Sequence, residues 1–311
     1  MLSRVAESVF WMARYMERTN GLLRVLRTNY VASQDEIKQY NWRSVLQTYG
    51  YLSPSEMETI QYNSRAVLEY VMLDKENEAS LINNITRSRE NARAVQDHIT
   101  KEMWHNLNAY YLLIREPSIR QTIQSGDPIT ALDALIRHSL LLYGTIDITM
   151  SRGEAYSFLN VGRFVERAII ITDVSDIKLK EVNYRLDDEL TLPSLRYLLY
   201  SLSGYEVYLK TSRGIMTPDT IMKQVLYDES FVHSILYCMS HISRYFKRLE
   251  GQSIPKSFAH LDFLIGKAYN NLKYSTCDLK GGVSIGALLN QTRSDLYNIA
   301  IAFNKHYFGY N

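Results

Sequence analysis

Three observations predict an all-α fold for this chain. Apolar residues recur at helical period along nearly its whole length. Residues that make tight turns are scarce, with 14 Gly and 6 Pro in 311 residues, which argues against a many-stranded sheet. A charged helical pattern also occurs twice, 149 positions apart. The first copy carries Ala6, Ser8, Arg14, Tyr15, Glu17 and Arg18, and the second carries Ala155, Ser157, Arg163, Phe164, Glu166 and Arg167 in the same register. A repeat of this length on helical sequence predicts a duplicated helical bundle, with two pseudo-symmetric halves packed into one body. The halves are expected at roughly 1–120 and 145–311 of a single domain spanning 1–311. No Gly/Ser/Pro-rich linker near 120–150 separates them.

The elements follow in order. In residues 3–30, Val5, Val9, Met12, Met16 and Leu23 share one helical face. Trp42 to Tyr49 is a short amphipathic piece. Ser53, Pro54 and Glu56 form a helix start: Ser caps, Pro takes the first helical position, and Glu closes a capping box. A helix with Ala66, Val67, Tyr70 and Val71 comes next. Residues 77–114 read as one or two long helices, ended by Glu116 and Pro117. Gly126, Asp127 and Pro128 open a helix over 129–150, and the second charged copy occupies a helix over 151–175. Lys178 to Asp188 reads as a connection. Helices are then expected at 193–211, 218–227, 230–249, 255–275 and 284–307. The repeat extends further: Val71, Asp74 and Ser80 match Val225, Asp228 and Ser234 at an offset of 154.

Composition narrows the function classes. Hydrophobic residues make up 46% and charged residues 22%, the balance of a globular protein with a sizeable core. A net charge of +2 gives no support to nucleic-acid binding, and basic residues do not interleave with aromatics. The 24 Tyr predict polar-edged packing or lined clefts. Cys238 and Cys277 form no disulfide framework and match no metal spacing, which fits a reduced, cytoplasmic setting. The first residues begin an amphipathic pattern rather than a signal peptide, and no apolar run reaches membrane-spanning length. His98 and His105, and His233 and His241, have the wrong spacing for a zinc helix. The Gly pair after Lys280 follows no strand and is no phosphate loop. Neither a metal nor a cofactor is implied.

Chemistry is concentrated in the charged copies. From Ala155 to Thr172 the only charged residues are Arg163, Glu166 and Arg167, on a helix apolar nearly all round. Such a helix is expected to be buried, and buried charges must be paired or hydrogen-bonded. In the first copy Glu7, Arg14 and Arg18 lie on one stripe opposite the Val5, Val9 and Met16 face, a pattern a surface helix also shows. Phe10 and Trp11 border that stripe. Four readings stay open for Arg14, Glu17, Arg18, Arg163, Glu166 and Arg167. They form a buried ion-pair network that docks the halves, a site binding an anion, an enzyme site with Glu17 or Glu166 as acid or base, or a plain solvated face. A further cluster holds Arg89, Glu90, Arg93, Asp97, Glu102, Trp104 and Asn108. Arg89 and Arg93 are one helical turn apart, as are Arg93 and Asp97, so the arginines are placed either to clamp an anion or to lace a helix surface with salt bridges.

These blocks together resemble the bacterial alpha-E domain family, named for its helices and its Glu-Arg motif. The resemblance rests on Leu2 through Arg18, on Ser88 to Arg93 with Asp97, Trp104 and Asn108, and on Met150 and Arg152 followed by Phe158 to Arg167. It covers nearly the whole chain. After Asp228, where relatives tend to carry Asn-Pro-Arg-Ser, this chain has Ser230, Phe231, Val232, His233 and Ser234, so a role for that Arg does not carry over. The resemblance implies a protein without a settled activity, encoded beside or fused to a circularly permuted ATP-grasp protein, often with a transglutaminase-like protein nearby. ATP-grasp enzymes activate a carboxylate and join it to an amine. The implied role is therefore an accessory or binding component of a peptide- or amide-ligase system, taking a small anionic or peptide ligand.

Overall fold

Seven of the described helices begin at a side-chain cap. The computed structural model describes residues 1–35, 40–186, 191–212, 216–250, 255–275 and 283–309. Cys277 and the Gly pair after Lys280 lie outside these. Among the described residues there are fifteen α-helices and no strand. They are α1 (Ser3–Asp35), α2 (Arg43–Tyr49), α3 (Pro54–Ile60), α4 (Ser64–Leu73), α5 (Leu81–Ala94), α6 (Lys101–Ile114), α7 (Pro117–Gln124) and α8 (Pro128–Thr149). After these come α9 (Glu154–Glu181), α10 (Leu192–Ser201), α11 (Tyr205–Thr211), α12 (Pro218–Tyr227), α13 (Ile235–Lys247), α14 (Pro255–Lys273) and α15 (Val283–Phe303). At α3 the capping box is complete: Ser53 Oγ accepts from the Glu56 amide at 3.3 Å, and the Ser53 amide donates to Glu56 Oε2 at 2.8 Å. Asn63, Ser80, Thr100, Asp127, Thr217 and Ser234 cap α4, α5, α6, α8, α12 and α13, each with a side-chain oxygen that accepts from a first-turn amide.

One open boundary is settled by the structure and three differ from the sequence expectation. Residues 77–114 contain two helices, because α5 stops at Ala94 and a 3₁₀ turn over Gln96–His98 precedes α6. Asp97 therefore sits exposed on that turn, not one helical turn below Arg93. Pro117 does more than end a helix, since it occupies the first position of α7. The stretch from Lys178 is not a connection at its start: α9 runs on to Glu181, with Lys178 bonded to Glu181 at 3.0 Å and Lys180 to Asp176 at 2.7 Å. These i,i+3 and i,i+4 pairs let polar sequence continue a helix. Finally, 193–211 is broken by Ser203 at φ 53°, which separates α10 from α11.

The chain divides into two compact units, Trp11–Ser151 and Met1–Phe10 with Arg152–Asn311, and the boundary falls inside α1. In the 11–151 unit, α5 packs on α6, α6 on α8, and α4 on α7. Thr100 to Thr149 and Asn106 to Thr145 hydrogen bonds run α6 and α8 antiparallel. Arg65 at the start of α4 donates to the carbonyls of Ile123 and Gly126 at the end of α7. The other unit is built on α9, which is buried on nearly all sides and packs against α13, α15 and α10. Phe10 stacks on Phe303 of α15, with ring centroids 5.4 Å apart.

The Asp-to-Ser segments of the repeat have the same local build in each unit. Asp74 ends α4, accepts at Oδ1 from the amide two residues on, and is followed by the Ser80 cap. Asp228 ends α12, accepts from the amide two residues on, and is followed by the Ser234 cap.

Gly162 on α9 is set by close backbone approach: a Cβ there would lie 2.4 Å from the Phe10 carbonyl oxygen. The first copy carries Ala13 at this register position. Since backbone cannot swing aside, Gly162→Ala is expected to destabilise the protein by about 1–3 kcal/mol. Urea unfolding of the variant measures this, and an unchanged midpoint would show that the approach is not rigid.

Candidate functional site

In the 11–151 unit the motif occupies the middle of α1, and it is not a solvated stripe. Side chains long enough to reach water are held inside. Arg14 is 4% exposed and Glu17 0%. The Arg14 guanidinium lies 4.5 Å from the centre of the Trp11 ring. Glu17 Oε2 accepts a 2.5 Å hydrogen bond from the Tyr143 hydroxyl on α8. Ser88 on α5 donates to the Met12 carbonyl at 3.1 Å, so α5 is pinned against the same turn of α1. Arg18 is half-buried, 5.7 Å from the Tyr15 ring, and Arg87 of α5 lies 5.9 Å from that ring.

The second copy sits on α9 in the other unit. Glu166 is 2% and Arg167 5% exposed, and Arg163 is half-buried. Both guanidiniums approach Phe164, at 5.6 Å for Arg163 and 5.2 Å for Arg167. Arg167 also donates to the Val232 carbonyl at 3.4 Å. Tyr237, His241 and Tyr245 of α13 surround Phe164, the closest being His241 at 4.8 Å between centroids. Burial lowers the His241 pKa against its hydrogen bond to the Tyr237 carbonyl, and Arg244, Arg167 and Arg163 lower it further. None of the six motif side chains is without a partner. Glu7 is half-buried near the start of α1.

The third cluster lies on the α5–α6 hairpin and faces outward. Arg89 is 21% exposed, with its guanidinium 4.5 Å from the Tyr111 ring and 5.4 Å from the Trp104 ring. Its Nε donates to Asn108 Oδ1 at 2.7 Å, and one Nη donates to Glu90 at 2.8 Å. Arg93 is exposed and reaches the other Glu90 oxygen at 3.6 Å. The two arginines therefore converge on a carboxylate of the chain itself. Arg115 covers Tyr111 at 4.6 Å.

The Alpha-E family model, described as a predicted alpha-helical domain with a conserved ER motif, matches residues 1–308. The chain belongs to the Alpha-E family. The Glu-Arg pairs at Glu17, Arg18, Glu166 and Arg167 supply the dipeptide in that description. Among curated proteins this Alpha-E chain is similar to uncharacterized proteins of Mycobacterium bovis and Mycobacterium tuberculosis. It is 20% identical to the M. bovis protein and to one from M. tuberculosis over 269 residues. The match covers 80% of this chain and only 30% of the length of each relative. No solved structure matches the chain.

Several residues of these clusters carry no sequence signal. Tyr143 is one of 24 tyrosines, and only the packing of α8 on α1 brings it to Glu17. Tyr111, His241 and Tyr237 are of the same kind. A charged staple further along α9 carries no such signal either: Asp173 and Asp176 meet Arg293, 117 or more positions away on α15. Among the described residues, no group of three or more His, Cys, Asp and Glu is placed to hold a metal ion. No helix among the described residues is long and apolar enough to cross a membrane.

The staple has a defined pH signature. Burial raises the Asp173 pKa, against the hydrogen bond and charge of Arg293; Glu166 and Asp176 raise it further. Burial also opposes the charge of Asp176, yet Lys180, Tyr184 and Arg293 hold its pKa below the usual range. In Arg293→Met, Asp173 loses the cation facing it and its folded pKa climbs. A raised folded carboxyl pKa costs stability above the unfolded value and costs nothing below it. The loss in Arg293→Met is therefore expected to be about 1–3 kcal/mol at neutral pH, discounted for partial exposure, and to shrink as pH falls toward about 4. Urea unfolding across pH checks this, and a loss independent of pH would remove the carboxylates from the account.

Proposed function

We propose that this Alpha-E chain is a binding component of an amide-forming system. It holds a carboxylate-bearing peptide or small anion for a circularly permuted ATP-grasp partner, which activates carboxylates. A transglutaminase-like protein is a further partner in this reading, and the need for ATP places the system in the cytoplasm. The observation that carries the ligand class is Arg89. Its plane is fixed by Asn108 and by the Tyr111 ring before any ligand arrives, so little freedom is lost on binding. Glu90, half exposed, already occupies the fork shared with Arg93 and shows the chemistry the pair accepts. A ligand carboxylate would take its place.

Calorimetric titration with citrate and with a short acidic peptide tests this. Arg89→Gln is expected to weaken binding by about tenfold or more, from the loss of a charge-assisted hydrogen bond. Glu90→Gln is expected to strengthen it by vacating the fork. Binding should also weaken with added salt. Equal affinity in all three proteins would sink the reading. Reconstitution with the ATP-grasp protein then asks whether ATP-dependent condensation requires this chain and fails in Arg89→Gln.

Burial of the Glu-Arg motif favours a second reading for that motif alone, as a structural frame. Glu17 is wholly enclosed and bonded to Tyr143. Tyr143→Phe leaves a carboxylate short of a donor and is expected to cost about 1–3 kcal/mol in stability. An acid/base role for Glu17 predicts a different outcome: loss of turnover in Glu17→Gln with the melting temperature unchanged.

A further inference from the structure

The outward face of α8 carries what a buried face normally carries. Leu140, Leu141 and Ile148 are 60%, 52% and 85% exposed. At ~100° per residue these three, with Arg137, Gly144 and Asp147, all fall within about 60° of the Gly144 direction. Gly144 stands near the middle of this strip, and a Cβ there would meet nothing within 4 Å. Nothing inside the protein requires a glycine at that point. Yet glycine in a helix interior costs about 1 kcal/mol relative to alanine. The notch is explained if a surface from outside the chain comes close.

We propose that α8 is a homodimer interface, with the α8 helices of two copies crossing antiparallel about a two-fold axis near Leu142. The charges choose a second copy over other partners. Arg137 and Asp147 lie five positions either side of Leu142, about 15 Å apart along the helix. An antiparallel two-fold pair thus sets Arg137 of each copy against Asp147 of the other. The same register places Leu140 of one copy over the Gly144 notch of the other, so each helix offers a knob and a hole. Leu141 falls beside the axis, facing its own counterpart. A face of six residues is at the small end of specific interfaces, below about 1,200 Å² in total, so a weak, concentration-dependent dimer is expected.

Sedimentation equilibrium from low to high micromolar protein tests the proposal on the full chain. The wild type is expected to dimerise, and Leu140→Glu to weaken the dimer by more than about tenfold. Arg137→Glu should weaken it as well, and Arg137→Glu with Asp147→Arg should restore it, because the swap re-pairs both ends. Register is read separately by oxidative cross-linking: Leu141→Cys, beside the axis, should form a disulfide-linked dimer, and Ile148→Cys should not. These positions are exposed, and unchanged melting curves confirm that each variant folds. A wild type that stays monomeric throughout, a dimer indifferent to Leu140→Glu, or cross-linking at Ile148→Cys in preference to Leu141→Cys would each overturn the proposal.

Discussion

A carboxylate with no exposure sets the terms for the 11–151 unit. Glu17 cannot be hydrated, so its charge has to be met by donors that the fold delivers. Tyr143 is delivered by α8, and α8 is held in place by its antiparallel packing on α6 and by the Arg27–Asp133 pair at 2.6 Å. The hydroxyl of Ser88 ties α5 to the same turn of α1. Arg14 is bedded on Trp11, whose ring face supplies a negative surface to a guanidinium removed from water. Loosening any of these contacts leaves a charge with less company in low dielectric, where the penalty is steepest. The motif therefore specifies the positions of three helices at once.

The sequence revealed this architecture wherever the cause was local. The capping box at Ser53 and the Asp127–Pro128 start act within one helical turn, and each marks a real helix start. Burial of α9 was also legible, because a helix apolar around its circumference has no face to give to water. The first copy was not. A 3.6-residue stripe of charges on α1 has the same pattern whether water or other helices cover it, and cover by α5 and α8 is a tertiary fact. The break at Ser203 was likewise hidden, since a left-handed serine carries no signal of its own. Lys178 to Glu181 misled in the opposite direction, because polar composition suggested a connection where i,i+3 and i,i+4 pairs sustain a helix.

The two matched Asp-to-Ser segments show what the repeat preserves. In both, an aspartate stops a helix, bonds an amide two residues ahead, and hands the chain to a serine that starts the next helix. The side chains between differ freely: Asn77 and Ala79 in one stand where Phe231 and His233 stand in the other. Hydrogen bonds that satisfy helix ends are constrained by backbone geometry, whereas loop side chains answer only to their surroundings. Repetition here is therefore a statement about how helices are terminated and restarted. It carries no information about a ligand.

The same distinction separates motif from binding face. A motif can persist because it is buried, since each member is needed to satisfy another. Glu17 and Glu166 belong to that class, whatever further work they do. A side chain that meets a ligand must instead keep part of itself accessible while its geometry is fixed by neighbours. Arg89 satisfies both conditions: Asn108 and Tyr111 hold its plane, and its edge shared with Glu90 remains open to solvent. Preorganisation with access is what lowers the entropic cost of binding an anion. Neither condition is visible in a linear pattern, because Asn108 and Tyr111 reach Arg89 only when α5 and α6 fold into a hairpin. The most repeated residues of this chain thus explain how it stands, and a less conspicuous arginine explains better what it could hold.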